Sequence, residues 1–122
     1  AIKGEGALYE NRKIRNTNSN NNNKILYVID EVQISSKLIR ILDGNERKFG
    51  SASTELIYMA EGKLDLVMYS EIDIWDFAAG LLICRESGVL VTGCKGEDNI
   101  YECRSLLAAR ESLHKMVLDE LA

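Results

Sequence analysis

Histidine, proline, tryptophan and cysteine are all scarce in this 122-residue chain. His114 is the only histidine, which excludes a His-based catalytic triad and a multi-histidine metal site. Its setting, "SLHKMVLDEL", makes it a helix-surface residue rather than a base. Cys84, Cys94 and Cys103 are odd in number, and their wide spacing matches neither a zinc knuckle nor a redox pair. They are expected to be reduced thiols of a cytoplasmic protein. No apolar run approaches the ~20 residues that span a bilayer. The opening "AIKGEGALYEN" also lacks the basic-then-apolar order of a signal peptide, so no membrane association is expected. A basic excess is missing too. The formal net charge of −4 argues against direct nucleic-acid binding, which calls for a basic face. Proline is absent altogether, and the chain does not begin with methionine. The first residues read as the middle of a structure, so a fragment of a longer protein is expected.

What is present suits one globular domain over residues 1–122. A chain of this length buries roughly two-thirds of its unfolded surface, enough for a core without staples. Ala1 to Leu8 reads as a short strand with Lys13 to Arg15 as its hairpin partner. "NTNSNNNN", Asn16 to Asn23, has no apolar side chain to bury and reads as a mobile loop. "KILYVID", Lys24 to Asp30, is a short buried strand. Ser35 and Ser36 can cap a helix through Leu38, Ile39 and Leu42, with Gly44 as a left-handed stop. Arg47 to Phe49 fits a brief strand. Gly50 and Ser51 then open a second helix, with Ala52, Leu56, Ile57, Met59 and Ala60 on its apolar face and Gly62 at its end.

Leu64 to Tyr69 reads as a strand, and a third helix runs from Ile74 to Ser87. Phe77, Ala78, Leu81, Leu82 and Cys84 form its buried stripe, and Gly88 stops it. "VLVT" and "SLLAA" are strands, and "ESLHKMVLDEL" is a terminal amphipathic helix. Strands alternating with helices predict an α/β layered sheet flanked by helices.

Two stretches carry the chemistry. Asp73 and Asp76 bracket the only tryptophan at the start of the third helix. One explanation is structural: Asp73 caps the helix and Asp76 complements its dipole, each contributing about a kcal/mol or less. That leaves Trp75 and the slim Ala78-Ala79-Gly80 turn unexplained, because glycine inside a helix costs ~1 kcal/mol relative to alanine. A small-residue turn lets another backbone approach closely. In "RKFGSAS", Gly50, Ser51 and Ala52 open a helix whose free N–H groups can bind a phosphate or a substrate hydroxyl.

These stretches, in order, resemble the C-terminal half of the inositol monophosphatase family, magnesium-dependent and lithium-sensitive phosphatases. Arg-x-x-Gly-Ser-Ala spans Arg47 to Ala52, Ala-x-Gly-x-x-Asp spans Ala60 to Asp65, and Trp-Asp-x-Ala-Ala-Gly spans Trp75 to Gly80. Glu86-Ser87-Gly88 stands where the family has a Glu-Ala-Gly-Gly type of end. "AIKGEGALYEN" resembles a further family segment, and "LLAARESLHKMVLDEL" the family's closing strand and helix. The resemblance implies that Asp76 is a ligand to Mg²⁺, with Trp75 beside the site. It also implies that Gly50, Ser51, Ala52 and Asp76 bind the substrate, a small phosphate monoester such as inositol 1-phosphate.

The departures are specific. The family's upstream glutamate and its Asp-Pro-x-Asp-Gly-Thr motif do not occur here, and a chain without proline cannot hold the second. One aspartate cannot hold two or three ions. The expectation is therefore a C-terminal α/β domain without the N-terminal metal-binding domain, carrying no catalytic residue and little activity alone. Tyr69 stands where the family places a substrate-binding glutamate, with Glu71 and Asp73 as candidate substitutes. The family's Asn-Gly turn is replaced by Asn11-Arg12. Family members are commonly dimers, so a homodimer, or pairing with the missing half, is expected to cover the exposed apolar face. The alternatives are a phosphatase acting on 3′-phosphoadenosine 5′-phosphate or fructose 1,6-bisphosphate, and a non-catalytic interaction domain or degenerate remnant. Bacterial relatives associated with RNA processing make that last alternative concrete.

Overall fold

The computed structural model describes residues 1–16, 24–30 and 36–121. Residues 17–23 of the loop expected over residues 16–23, and the Ser35 cap, lie outside them. The chain begins with an antiparallel hairpin, β1 (Ala7–Tyr9) and β2 (Arg12–Ile14). Its turn residues are Glu10 and Asn11, both left-handed at φ 50° and 64°, rather than the expected Asn11-Arg12. Arg12 is already paired with Tyr9. The strand expected from Ala1 is confined to β1, preceded by a tight turn that brings Ile2 opposite Gly6.

The main sheet has the order β4-β3-β5-β7-β6. Strands β3 (Leu26–Asp30), β4 (Asn45–Glu46) and β5 (Leu66–Tyr69) run parallel, and β7 (Leu106–Ala109) is antiparallel to both β5 and β6 (Leu90–Thr92). Strand periodicity sends alternate side chains to opposite faces. Val67 and Tyr69 of β5 meet helices α2 (Ala52–Ala60) and α3 (Ile74–Glu86). Leu66 and Met68 meet α1 (Ser36–Leu42) and α5 (Glu111–Leu121). Helical spacing completes both layers, with Phe77, Leu81 and Cys84 on one side and Leu38, Leu42, Leu113 and Val117 on the other. The layered α/β sheet is the expected fold class.

Several local expectations are corrected. Asp43, not Gly44, takes the left-handed conformation after α1, at φ 41°. Gly44 is needed for close approach instead, because a Cβ there would lie 2.3 Å from the Ile25 carbonyl oxygen. That contact starts β4 at Asn45, two residues before the expected strand, while Arg47 still donates its amide to Tyr27 at 2.8 Å. Ile57 is exposed, and Ala78 and Leu82 are only half-buried. A short helix, α4 (Ile100–Cys103), was not expected. His114 is buried at 3% exposure and not on the surface. All three cysteines are free thiols, and burial pushes the Cys84 thiol up to about 12.

Candidate active site

A cleft of about 670 Å³ opens at the carboxyl ends of the parallel strands β3 and β5, where the N-termini of α2 and α3 converge. Open α/β sheets place ligand sites in such crevices. Gly50 enters α2 at φ 76°, a conformation that costs an L side chain about 1–2 kcal/mol. Ser51 is the N-cap, its hydroxyl accepting from the Thr54 amide at 3.3 Å. The amides of Ala52 and Ser53, in the first turn, have no partner within the helix and carry the positive end of its dipole.

Asp76 lies in the first turn of α3, exposed, on the wall of the same cleft. The Ser53 hydroxyl donates to the Asp76 carbonyl at 3.4 Å and ties the two helix mouths together. Gly50, Ser51, Ala52 and Asp76 thus line one cavity. Trp75 does not line it. One residue along the helix is a rotation of ~100°, and its indole is 78% exposed.

Asp73 occupies the N-cap position but makes no side-chain cap bond. Its backbone carbonyl accepts the Asp76 amide at 2.9 Å, and its carboxylate instead lies 3.9 Å from Arg104. Both partners are exposed, so that pair contributes little. Asp65, which closes the Ala-x-Gly-x-x-Asp motif, serves the fold. Its buried carboxylate accepts the Leu26 amide at 2.8 Å and holds Arg110 at 3.1 Å, joining β3, β5 and β7 near their shared end.

Glu55 was not singled out in the sequence. Its carboxylate is 5% exposed, accepts the Tyr69 hydroxyl at 2.5 Å, and takes the Phe49 amide on its other oxygen at 2.9 Å. Burial, reinforced by that bond and by the Glu55 charge, pushes the Tyr69 phenol far up. The signal was a glutamate directly before Leu56, on the face that the helix buries.

Acidic side chains dominate the lining, with Asp30, Glu71 and Asp73 joining Asp76 and Glu55, and Lys48 supplies the cation. Yet among the described residues no three histidine, cysteine, aspartate or glutamate side chains converge to hold a metal ion. The carboxylates suit Mg²⁺ by type, but these residues do not complete a site for it.

The sequence matches the inositol monophosphatase family over residues 1–122. A SuhB protein of Neisseria meningitidis serogroup A is 32% identical over 97% of this chain and 49% of its own length. An inositol-1-monophosphatase of Caulobacter vibrioides is 33% identical over 73% of this chain and 33% of its own. A staphylococcal IMPase-II, solved with inositol monophosphate bound, superposes with a TM-score of 0.82 at 25% identity, over 99% of this chain and 50% of that one. The chain therefore spans about half or less of the length of these relatives, and across all of its residues it belongs to the inositol monophosphatase family.

Proposed function

We propose that this chain is the C-terminal, substrate-facing domain of a phosphate monoester hydrolase, with inositol 1-phosphate as its substrate. The observation that carries this reading is the meeting of two helix mouths in one cleft: the Gly50–Ala52 entry to α2 and Asp76 in the first turn of α3. Unpaired amides at a helix start are ready donors for ester or hydroxyl oxygens, and the helix dipole favours an anion there. The Caulobacter relative's name and the inositol monophosphate bound by the staphylococcal protein supply the substrate class.

Asp76 contributes one carboxylate toward Mg²⁺, the hard oxygen donor that ion prefers. The remaining ligands are assigned to protein beyond the described residues, because none converge here. No catalytic residue and no chemical step are assigned to this chain. Its residues bind and orient the ester.

The test is phosphate release from inositol 1-phosphate in Mg²⁺, with fructose 1,6-bisphosphate as competitor substrate. The chain alone is expected to be inactive. Co-expression with the complementary half of the Neisseria protein is expected to give activity, and Asp76→Asn in that pair is expected to lower it roughly 100-fold or more. Turnover by the chain alone, or a pair indifferent to Asp76→Asn, would contradict the proposal. Continued inactivity of a well-folded pair would favour a non-catalytic interaction domain.

A further inference from the structure

In the first turn of α2 the Ser51 hydroxyl takes the Thr54 amide at 3.3 Å, and the Ser51 carbonyl takes the Glu55 amide at 3.0 Å. That leaves the Ala52 and Ser53 amides as the helix's open donors. A capping-box glutamate turns back onto the amide of the N-cap residue itself. Glu55 stands one position later and reaches further. Its buried carboxylate takes the Phe49 amide, two residues before the Ser51 cap, on Oε2 at 2.9 Å. Its Oε1 takes the Tyr69 hydroxyl at 2.5 Å, which anchors it to the end of β5.

Gly50 lies between Phe49 and the cap. Glycine enters and leaves a conformation of φ 76° at little cost, so nothing local to Gly50 holds the chain there. Two tertiary contacts do. One is the edge-to-face contact of the Phe49 and Tyr58 rings at 5.0 Å, made by a phenylalanine that is itself exposed. The other is the Glu55 bond, which is made from inside the fold.

We infer that Glu55 is a positioning residue for the mouth of α2: by joining Phe49 to Tyr69 it holds Gly50 to Ala52 in their binding arrangement before a ligand arrives. The inference rests on the phosphate-ester reading above and deepens it, because open amides serve an anion best when they are aimed in advance. Both oxygens of Glu55 meet protein donors, so no ligand contact is assigned to it.

The test combines backbone ¹⁵N relaxation of the unliganded chain with a titration by myo-inositol 1-phosphate. In the unaltered chain the order parameters of Phe49 to Ala52 are expected near ~0.85, the rigid value. In Glu55→Leu they should fall below about 0.6, while those of β5 and β7 stay as they were. Affinity should fall roughly three- to tenfold, because only the fraction with an ordered entry can bind. Glu55→Gln keeps an oxygen for the Phe49 amide and should restore both readings. A purely structural role would lower the melting temperature without this local loss of order. If Glu55→Leu does not fold, Tyr69→Phe, which removes the anchor and leaves the carboxylate, should move both readings the same way by a smaller amount.

Unchanged order at Phe49 to Ala52, lost order with unchanged affinity, or a glutamine variant no better than leucine would overturn the inference and leave the phosphate-ester reading standing. If the unaltered chain does not bind myo-inositol 1-phosphate, both fall.

Discussion

His114 Nε2 lies 2.8 Å from the Thr92 hydroxyl, and that hydroxyl also lies 2.8 Å from the Gly93 carbonyl. The carbonyl can only accept, so the threonine proton goes to it and His114 must donate from Nε2. The imidazole is buried, and burial disfavours its charged form and lowers its pKa. The unfolded chain takes up this proton near pH 6.5, whereas the folded chain does so only at lower pH. Between those values the unfolded state binds more protons, so stability is complete above pH 6.5 and declines with acid. Urea midpoints should fall from pH 7.5 to pH 5.5, and His114→Gln, which keeps a donor for Thr92, should flatten that change. An unchanged slope in the variant would place the titrating group elsewhere. The sequence hid this role because the partner is 22 residues away and on a strand. Nothing within "SLHKMVLDEL" shows which helical face meets β6. Glu55 was hidden for the same reason, since its partner Tyr69 is 14 residues off.

At the scale of elements, α2 and α3 are pressed together at Gly80. A Cβ there would lie 2.6 Å from Leu56 Cδ1 and 2.7 Å from Leu56 Cβ, and Leu56 is fully buried. The close approach expected of this slim turn is real, although a side chain rather than a backbone makes it. Gly80→Ala gains ~1 kcal/mol of helix propensity but forces an overpacking that costs roughly 1–3 kcal/mol. The overpacking should win, because the root of Leu56 cannot swing away as a flexible tip could. A thermal melt should show a drop of a few degrees. A rise would mean that the helices are not in contact at that point. Elements with strong periodicity and clear stops were legible, among them α2 ended by Gly62 and α3 ended by Gly88, and both glycines are left-handed. Short elements fixed by tertiary contact were not. Strand β4 is two residues long and set by the pressure of Gly44 on Ile25, and α4 is a single turn capped by Asn99.

For the whole molecule, local patterns gave an alternating α/β chain but not the strand order, because the pairing of β5 with β7 is chosen by long-range burial. The meeting of the Gly50–Ala52 and Asp76 segments in one cleft follows from that order. It was available in the sequence only through family resemblance, since 23 residues separate Ser53 from Asp76. A second cleft of about 560 Å³ lies beside the hairpin, lined by Lys13, Arg15 and Arg85 together with Glu5 and Glu86. There Glu86 already takes the Gly6 amide at 2.8 Å, and backbone N–H groups of Gly4 and Gly6 hold its carboxyl below the usual range. The direct measurement is an amide shift map of the chain titrated with myo-inositol 1-phosphate. The account expects perturbations concentrated at Gly50 to Ser53 and at Asp73 to Phe77. Perturbations gathered around Gly4, Arg15 and Glu86, or none at all, would contradict it.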